Sequence, residues 1–314
     1  MNPLIFRPFR ASDAKSVSQL FRLIYADHYV QPQVYLPKLI TQNNNDGRWQ
    51  SMLAVEGSRV LGHVALCRDG DADSPELAMG VVHPATRGQN IATRLSRELL
   101  EQSAAAGDAC VLIKQVTQHP YSQRMAQTLG FHSTGLLPDY VPSPFAEPMA
   151  ESIVIGVHLP KGHCRPLPDI AWPGDCRAFM QHLGSVFGVG NTGAVCPSRP
   201  LQMTRHQQRV DVVIERLDKR LFDHLTQLPD DWLISLRLAL SQHFAVDFQR
   251  LTAQGFAFTG VLPAPEQGEW SALFHRGAQT RDLNLHCPHM QQLHDNLQHA
   301  VRTQAIRRVN RSAA

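Results

Sequence analysis

Met79-Gly80-Val81-Val82-His83-Pro84-Ala85-Thr86-Arg87-Gly88-Gln89-Asn90-Ile91-Ala92-Thr93-Arg94-Leu95 is the stretch on which the reading of this chain turns. An apolar run stops at His83-Pro84, a short turn carries Arg87-Gly88-Gln89-Asn90, and a helical pattern opens at Ile91. A strand that feeds such a turn leaves the first amides of the helix unpaired, at the positive end of the helix dipole. That combination binds anions, and phosphates suit it best. A dinucleotide fingerprint would need a second and third glycine, and a nucleoside-triphosphate loop would need Gly-Lys-Ser/Thr; the stretch has neither. The expected anion contacts are Arg87, Gly88, Gln89, Asn90, Ile91, Ala92 and Thr93.

The same residues resemble the acyl-CoA pyrophosphate loop of the GNAT N-acetyltransferases, Arg/Gln-x-x-Gly-x-Gly/Ala after a Val-x-Pro strand end, with Arg87, Asn90 and Ala92 on the three defined positions. Asn90 replaces the usual glycine, and Asn tolerates a left-handed backbone better than most residues. Elements on either side follow the order the resemblance implies. Residues 4–10 read as a strand, Ser12-Asp13 as the N-cap of a helix through Tyr25, residues 51–55 and 59–67 as a hairpin, and 75–83 as a strand. A helix over 91–106, a strand over 109–116, a helix over 121–129 and a strand over 152–158 complete the set, and Leu129-Gly130-Phe131 matches the family's helix exit. The expected fold class is α/β, a mixed and mostly antiparallel sheet flanked by helices.

Beyond a Pro-rich passage, residues 160–173, read as a linker or stiff crossing, the chain repeats itself. Gly130-Phe131-His132-Ser133-Thr134-Gly135-Leu136-Leu137-Pro138 returns as Gly255-Phe256-Ala257-Phe258-Thr259-Gly260-Val261-Leu262-Pro263, an offset of 255 − 130 = 125. Apolar strand candidates precede both copies, at 110–116 and 232–240. The expected organisation is therefore residues 1–160 as the acyl-CoA-binding half and 161–314 as a second, degenerate GNAT-like half. Nothing between Pro173 and Trp232 resembles the phosphate loop; Gly184, Gly188, Gly190 and Gly193 follow a helix pattern and read as its exit.

Composition narrows the class. The chain has 314 residues, 43% hydrophobic and 18% charged, as in an ordinary soluble protein of about two domains. A net charge of +3 gives no argument for nucleic acid. No apolar run reaches the roughly 20 residues a membrane helix needs. Cys67, Cys110, Cys164, Cys176, Cys196 and Cys287 lack paired spacing, so reduced thiols and a cytoplasmic location are expected. His286, Cys287, His289 and His294 match no standard zinc spacing, and no metal is expected. Arg302, Arg307, Arg308 and Arg311 read as a solvated helix end, following a helix over 290–306 with Leu293, Leu297 and Val301 turned inward onto the second half.

The resemblance implies acyl transfer from acetyl-CoA, or another acyl-CoA, to a small-molecule or peptide amine, in a monomer or homodimer with no nucleic-acid or membrane partner. An amine of the Lys type has a pKa of about 10.4 and must lose a proton to attack a thioester. Glu76 is the candidate base, against the alternative of an edge-strand carboxylate facing water. Strand alternation puts it on one face with Ala78, Gly80 and Val82. Backbone amides from Gly80 through Val81 to Val82 are the candidate oxyanion donors. The family's tyrosine acid falls on Ala126, so His119, Tyr121 and Ser122 stand as substitutes, with capping of the same helix as the alternative role. Tyr25, His28, Tyr29 and Tyr35 could recognise the acceptor or pack the core, and His63 is a further pocket candidate. The competing functional class is a CoA-binding sensor or assembly subunit with little catalysis, which the departures at Asn90 and Ala126 keep open.

Overall fold

Apolar residues on both faces of the early strands require cover on both sides, and helices supply it. In the computed structural model, the described residues are 3–68, 74–145, 147–190, 201–264 and 268–312, with side chains described to 306. Strand β1 (Leu4–Pro8) lies antiparallel to β2 (Trp49–Glu56), which turns into β3 (Arg59–Cys67). Leu53 and Val55 share a core with Phe21 of α1 (Ala14–Tyr25) and Ile40 of α2 (Pro37–Asn45). The alternate residues Met52 and Ala54 share the opposite core with Leu95 and Leu99 of α3 (Ile91–Ala105). Asp13 does not cap α1 as expected. Its carboxylate accepts from the Arg10 amide at 2.8 Å and from Arg7 at 2.7 and 2.8 Å, and the helix is entered through a 3-10 turn, Ala11–Asp13.

Next come β4 (Glu76–Val82), β5 (Val111–Val116), α4 (Tyr121–Thr128), β6 (His132–Val141) and β7 (Glu151–His158). The sequence reading assigns no strand to β6. Polar residues at both its ends, His132-Ser133 and Asp139-Tyr140, hide a buried centre from Thr134 to Leu137. The Pro-rich passage is not a free linker: Arg165 is buried and donates to the carbonyls of Ala264 and Glu269, each at 2.7 Å. From there β8 (Leu167–Pro168) bridges β9 (Val189–Gly190) across α5 (Gly174–Phe187), which exits at Gly188 as expected; Gly193 and Cys196 lie outside the described residues.

The remaining elements are β10 (Gln202–His206), β11 (Arg209–Ile214), α6 (Lys219–Gln227), β12 (Leu233–Ala239), α7 (Phe244–Ala253), β13 (Ala257–Pro263), β14 (Trp270–Arg276) and α8 (Pro288–Ser312). Twelve strands form one sheet in the order β1-β2-β3-β4-β5-β7-β6-β13-β14-β12-β11-β10. Its two arms mirror each other. β3-β4-β5-β7-β6 on one side answers β10-β11-β12-β14-β13 on the other, with β4–β5 and β11–β12 the parallel pairs. The arms meet at a single rung, Gly135 opposite Gly260, the same position of the repeated phrase. Each phrase also leaves its helix alike: the Gly130 and Gly255 amides donate to Gln127 and Thr252, and those of Phe131 and Phe256 to Ala126 and Leu251.

Leu293 and Leu297 of α8 are buried as expected, Val301 is half-buried and Met290 is buried as well, but the helix packs on both β13 and β6 and so straddles the arms. Arg302 is exposed; the side chains of Arg307, Arg308 and Arg311 lie outside the described set. His286 bonds Gln127, His294 bonds the Arg281 carbonyl, and His289 stacks on His182. Among the described residues no cluster of His, Cys, Asp or Glu could hold a metal, and no helix is long and apolar enough to cross a membrane.

Candidate functional site

Parallel strands β4 and β5 pair only at Glu76–Leu112 and Leu77–Ile113. Past that rung β4 continues to Val82 and β5 to Val116 without pairing, so a V-shaped gap opens toward their C-terminal ends. At the mouth β4 runs into the loop read from sequence. His83 fixes its first turn: the Ala85 amide donates to the imidazole at 3.2 Å, and the Thr86 amide to the His83 carbonyl at 2.9 Å. Arg87, Gly88, Gln89 and Asn90 are all exposed, with φ of 82° at Gly88 and 55° at Asn90, which takes the left-handed conformation anticipated for it. Among the described residues, no amide from Gly88 to Thr93 finds a partner; Arg94 is the first, at 3.0 Å from the Asn90 carbonyl. Ile91 is buried and seats the first turn of α3 against Gly62, where any Cβ would come within 2.6 Å of its methyl. The result is a rigid helix end presenting free N–H groups beside the gap.

Halfway along β4 a bulge breaks the expected alternation. Met79 has φ of 55° and the register against β3 slips between His63 and Ala65. Leu77 and Val82 pack toward α3, whereas Ala78, Met79 and Val81 all pack toward α1 and α2. Glu76 therefore shares its face with Met79 and Val81, not with Gly80 and Val82; one inserted residue inverts every side chain after it. His63 holds this bulge. Its Nδ1–H donates to the Met79 carbonyl at 2.9 Å and its Nε2 accepts from Ser51 at 3.1 Å. Burial pushes its pKa down to about 4, so it stays neutral. With 1% exposure and both ring nitrogens bonded within the sheet, it is placed here as a support of the bulge, where the sequence reading offers it as an acceptor contact.

Glu76 is half-buried at the throat of the V, and Lys114 donates to its carboxylate at 2.7 Å. The strand is not at an edge, since β4 lies between β3 and β5, and the carboxylate is ion-paired with 25% of its side chain exposed. Burial works against the Lys114 charge, but Glu76 and Tyr140 outweigh it and hold the amine above its ordinary range. The ammonium lies 5.6 Å from the Tyr140 ring. Arg209 of β11 covers that ring at 4.7 Å, donates to the Tyr140 carbonyl at 2.7 Å and grips Asp211 at 2.7 Å, so the second arm of the sheet reaches into the throat.

Tyr25 and Tyr29 close the α1 side, with ring centroids 5.0 Å apart and Phe145 5.5 Å from Tyr25. Burial raises both phenol pKa values; the Arg87 charge opposes it at Tyr25, while neighbouring acidic groups, Glu76 among them, reinforce it at Tyr29. Tyr35 is buried and its hydroxyl accepts from the Tyr29 amide at 2.8 Å. His28 is exposed and lines a cavity of about 890 Å³ between the two arms, together with Tyr140, Glu147, Arg209 and Asp211. His119, Tyr121 and Ser122 stand beyond the open end of β5. The His119 Nδ1 and Ser122 Oγ are buried without a partner among the described residues, while Tyr121 is 71% exposed. Ala126 is buried and offers no proton.

Sequence reasoning missed Lys114, Tyr140 and Arg209. Lys114 left a signal: it is the one charge in Val111-Leu112-Ile113-Lys114-Gln115-Val116, an otherwise apolar or amide-bearing strand. On the second arm, the helix that follows β11 begins differently. Asp218 caps α6 with its own carboxylate, accepting from the Leu221 amide at 2.7 Å. A carboxylate there fills and repels where the first arm leaves amides open.

Residues 26–137 match the family model of the Acetyltransferase (GNAT) domain. No curated protein matches the chain. Among solved structures, an N-acetyltransferase from Staphylococcus aureus Mu50 aligns over 50% of this chain and 99% of its own at 14% identity, TM-score 0.44. The ribosomal-protein-alanine N-acetyltransferase from Brucella melitensis aligns over 50% and 100% at 17% identity, TM-score 0.44. The protein yncA from Salmonella typhimurium, assigned as an acetyltransferase and solved with its cofactor acetyl-CoA, aligns over 52% and 96% at 16% identity, TM-score 0.44.

Proposed function

We propose that the chain is an acyl-CoA-dependent N-acyltransferase, with acetyl-CoA as donor and an amine as acceptor, acting by direct attack of the amine on the thioester. The observation that carries this reading is the row of unpartnered amides from Gly88 to Thr93 at the mouth of a gap between two parallel strands. Those amides and Arg87 would hold the CoA diphosphate, leaving the pantetheine arm to run down the gap toward Glu76. Glu76 would take the amine proton, and amides at the β4 bulge would receive the charge on the thioester oxygen. The match of residues 26–137 to the GNAT domain, and the acetyl-CoA reported for the Salmonella protein, agree with this choice of donor.

We read residues 1–160 as the catalytic unit and 161–314 as a degenerate GNAT-like unit. The mirrored strand order supports the kinship, and Asp218 at the head of α6 supports the loss of CoA binding. The acceptor would enter by the cavity between the arms, past His28, Tyr25 and Tyr29.

Turnover tests the proposal. Acetyl-CoA is incubated with a panel of amines (free amino acids, polyamines, peptides with a free N-terminus) and thiol release is followed. Arg87→Ala should weaken CoA binding about tenfold, the value of one charge-assisted hydrogen bond. An unchanged dissociation constant would remove the loop assignment. CoA binding with no turnover on any amine would favour the sensor or assembly reading, which the departures at Asn90 and Ala126 keep open.

A further inference from the structure

Resting on the acyl-transfer reading, we infer that Lys114 is the proton donor to the departing CoA thiolate, and that the Glu76–Lys114 pair resets itself by passing one proton along its shared hydrogen bond. Three observations carry it. Lys114 is the first residue of β5 past the last rung of the β4–β5 ladder, so it stands where the gap begins. Its ammonium is 2.7 Å from the candidate base, on the same face of the sheet. It is partly open to solvent, with 38% of the side chain exposed, so its proton is not sealed inside the core. The candidates read from sequence, His119, Tyr121 and Ser122, lie beyond the opposite end of β5 from the throat.

The step balances. The amine nitrogen forms its bond to the thioester carbon as the carbon–sulfur bond breaks. Glu76 takes the proton from nitrogen and becomes a carboxylic acid; Lys114 gives a proton to sulfur and becomes a neutral amine. The acid then returns its proton to the lysine, restoring carboxylate and ammonium, and the products are an amide and a free thiol. Timing follows from what surrounds the pair. The groups that bear on Lys114 are Glu76, Tyr140 and Arg237 of β12, and Glu76 also lies within the electrostatic reach of Tyr29. While Glu76 is ionised its charge holds the lysine proton against burial. Once Glu76 is protonated its support is lost, and burial and Arg237 favour release against Tyr140 alone.

The test compares two donors, acetyl-CoA and its selenoester analogue, whose far more acidic leaving group departs without a proton. The acceptor is the amine of the panel that wild type uses fastest. Lys114→Met should lose about tenfold or more in kcat on the thioester with KM for acetyl-CoA within about twofold, and lose little on the selenoester. Lys114→Arg keeps the charge but cannot release a proton, and should do no better than Lys114→Met. Equal losses on both donors would mean that Lys114 only positions Glu76, and would overturn the inference, as would full activity in Lys114→Arg or Lys114→Met. If wild type turns over no amine at all, the acyl-transfer reading itself falls and takes this one with it; the wild-type control separates the two failures.

Discussion

Glu76→Gln should lower kcat by about 100-fold, within the range for loss of a general base, with KM for acetyl-CoA almost unchanged. Glutamine has the same shape, and its carbonyl oxygen can still accept from Lys114, which now donates to the carboxylate at 2.7 Å. The capacity to take a proton is removed, together with the negative charge that supports the Lys114 ammonium. Cofactor affinity should persist because Glu76 stands at the closed end of the gap, away from the loop at its mouth. Glu151 is also buried but offers no replacement, since one of its oxygens already accepts from the Thr117 amide, the Thr117 hydroxyl and the Gln118 amide at 2.8, 2.9 and 3.1 Å. Steady-state thiol release at saturating acetyl-CoA reads the effect, and a kcat within about twofold of wild type would take the base role from Glu76.

Gly260→Ala should cost about 3–5 kcal/mol of folding stability, far above the usual surface substitution. At φ of 114° a side chain is strained whatever the space, and a Cβ would meet the Thr134 carbonyl at 2.4 Å and the Gly135 Cα at 2.5 Å. Both are backbone atoms of β6, so nothing flexible can move aside, and Gly260–Gly135 is the one rung that joins the two arms of the sheet. Gly174→Ala is the matched control: it opens α5 with free space around it and should be neutral or slightly stabilising. Urea denaturation of the two variants decides the matter. Equal midpoints would mean that the arms do not depend on the seam. The same seam gives the second arm a functional bearing, because Arg209 reaches Tyr140 across it.

Much of the first arm was legible because its signals are local. The strand end at His83-Pro84, the turn glycine, the tolerance of Asn90 for positive φ and the apolar spacing from Ile91 to Leu99 each constrain their own few residues. The repeat from Gly130 and Gly255 was legible for the same reason, and both copies form the same helix exit and strand. What stayed hidden depends on partners far away in sequence. The bulge at Met79 exists through His63, whose ring bonds the Met79 carbonyl, and alternation read from β4 alone could not anticipate the inverted faces. The Glu76–Lys114 pair needs β4 and β5 side by side, and the support of Tyr140 needs β11 from the second arm. The strand β6 was missed because it is polar at its ends and apolar only where other strands cover it.

A structure of the chain with bound CoA bears most directly on the phosphate site. The diphosphate oxygens should lie within hydrogen-bond distance, about 2.7–3.2 Å, of amides between Gly88 and Thr93, with the pantetheine arm between β4 and β5. A diphosphate held elsewhere on the surface, with those amides still facing only water, would contradict the account at its root.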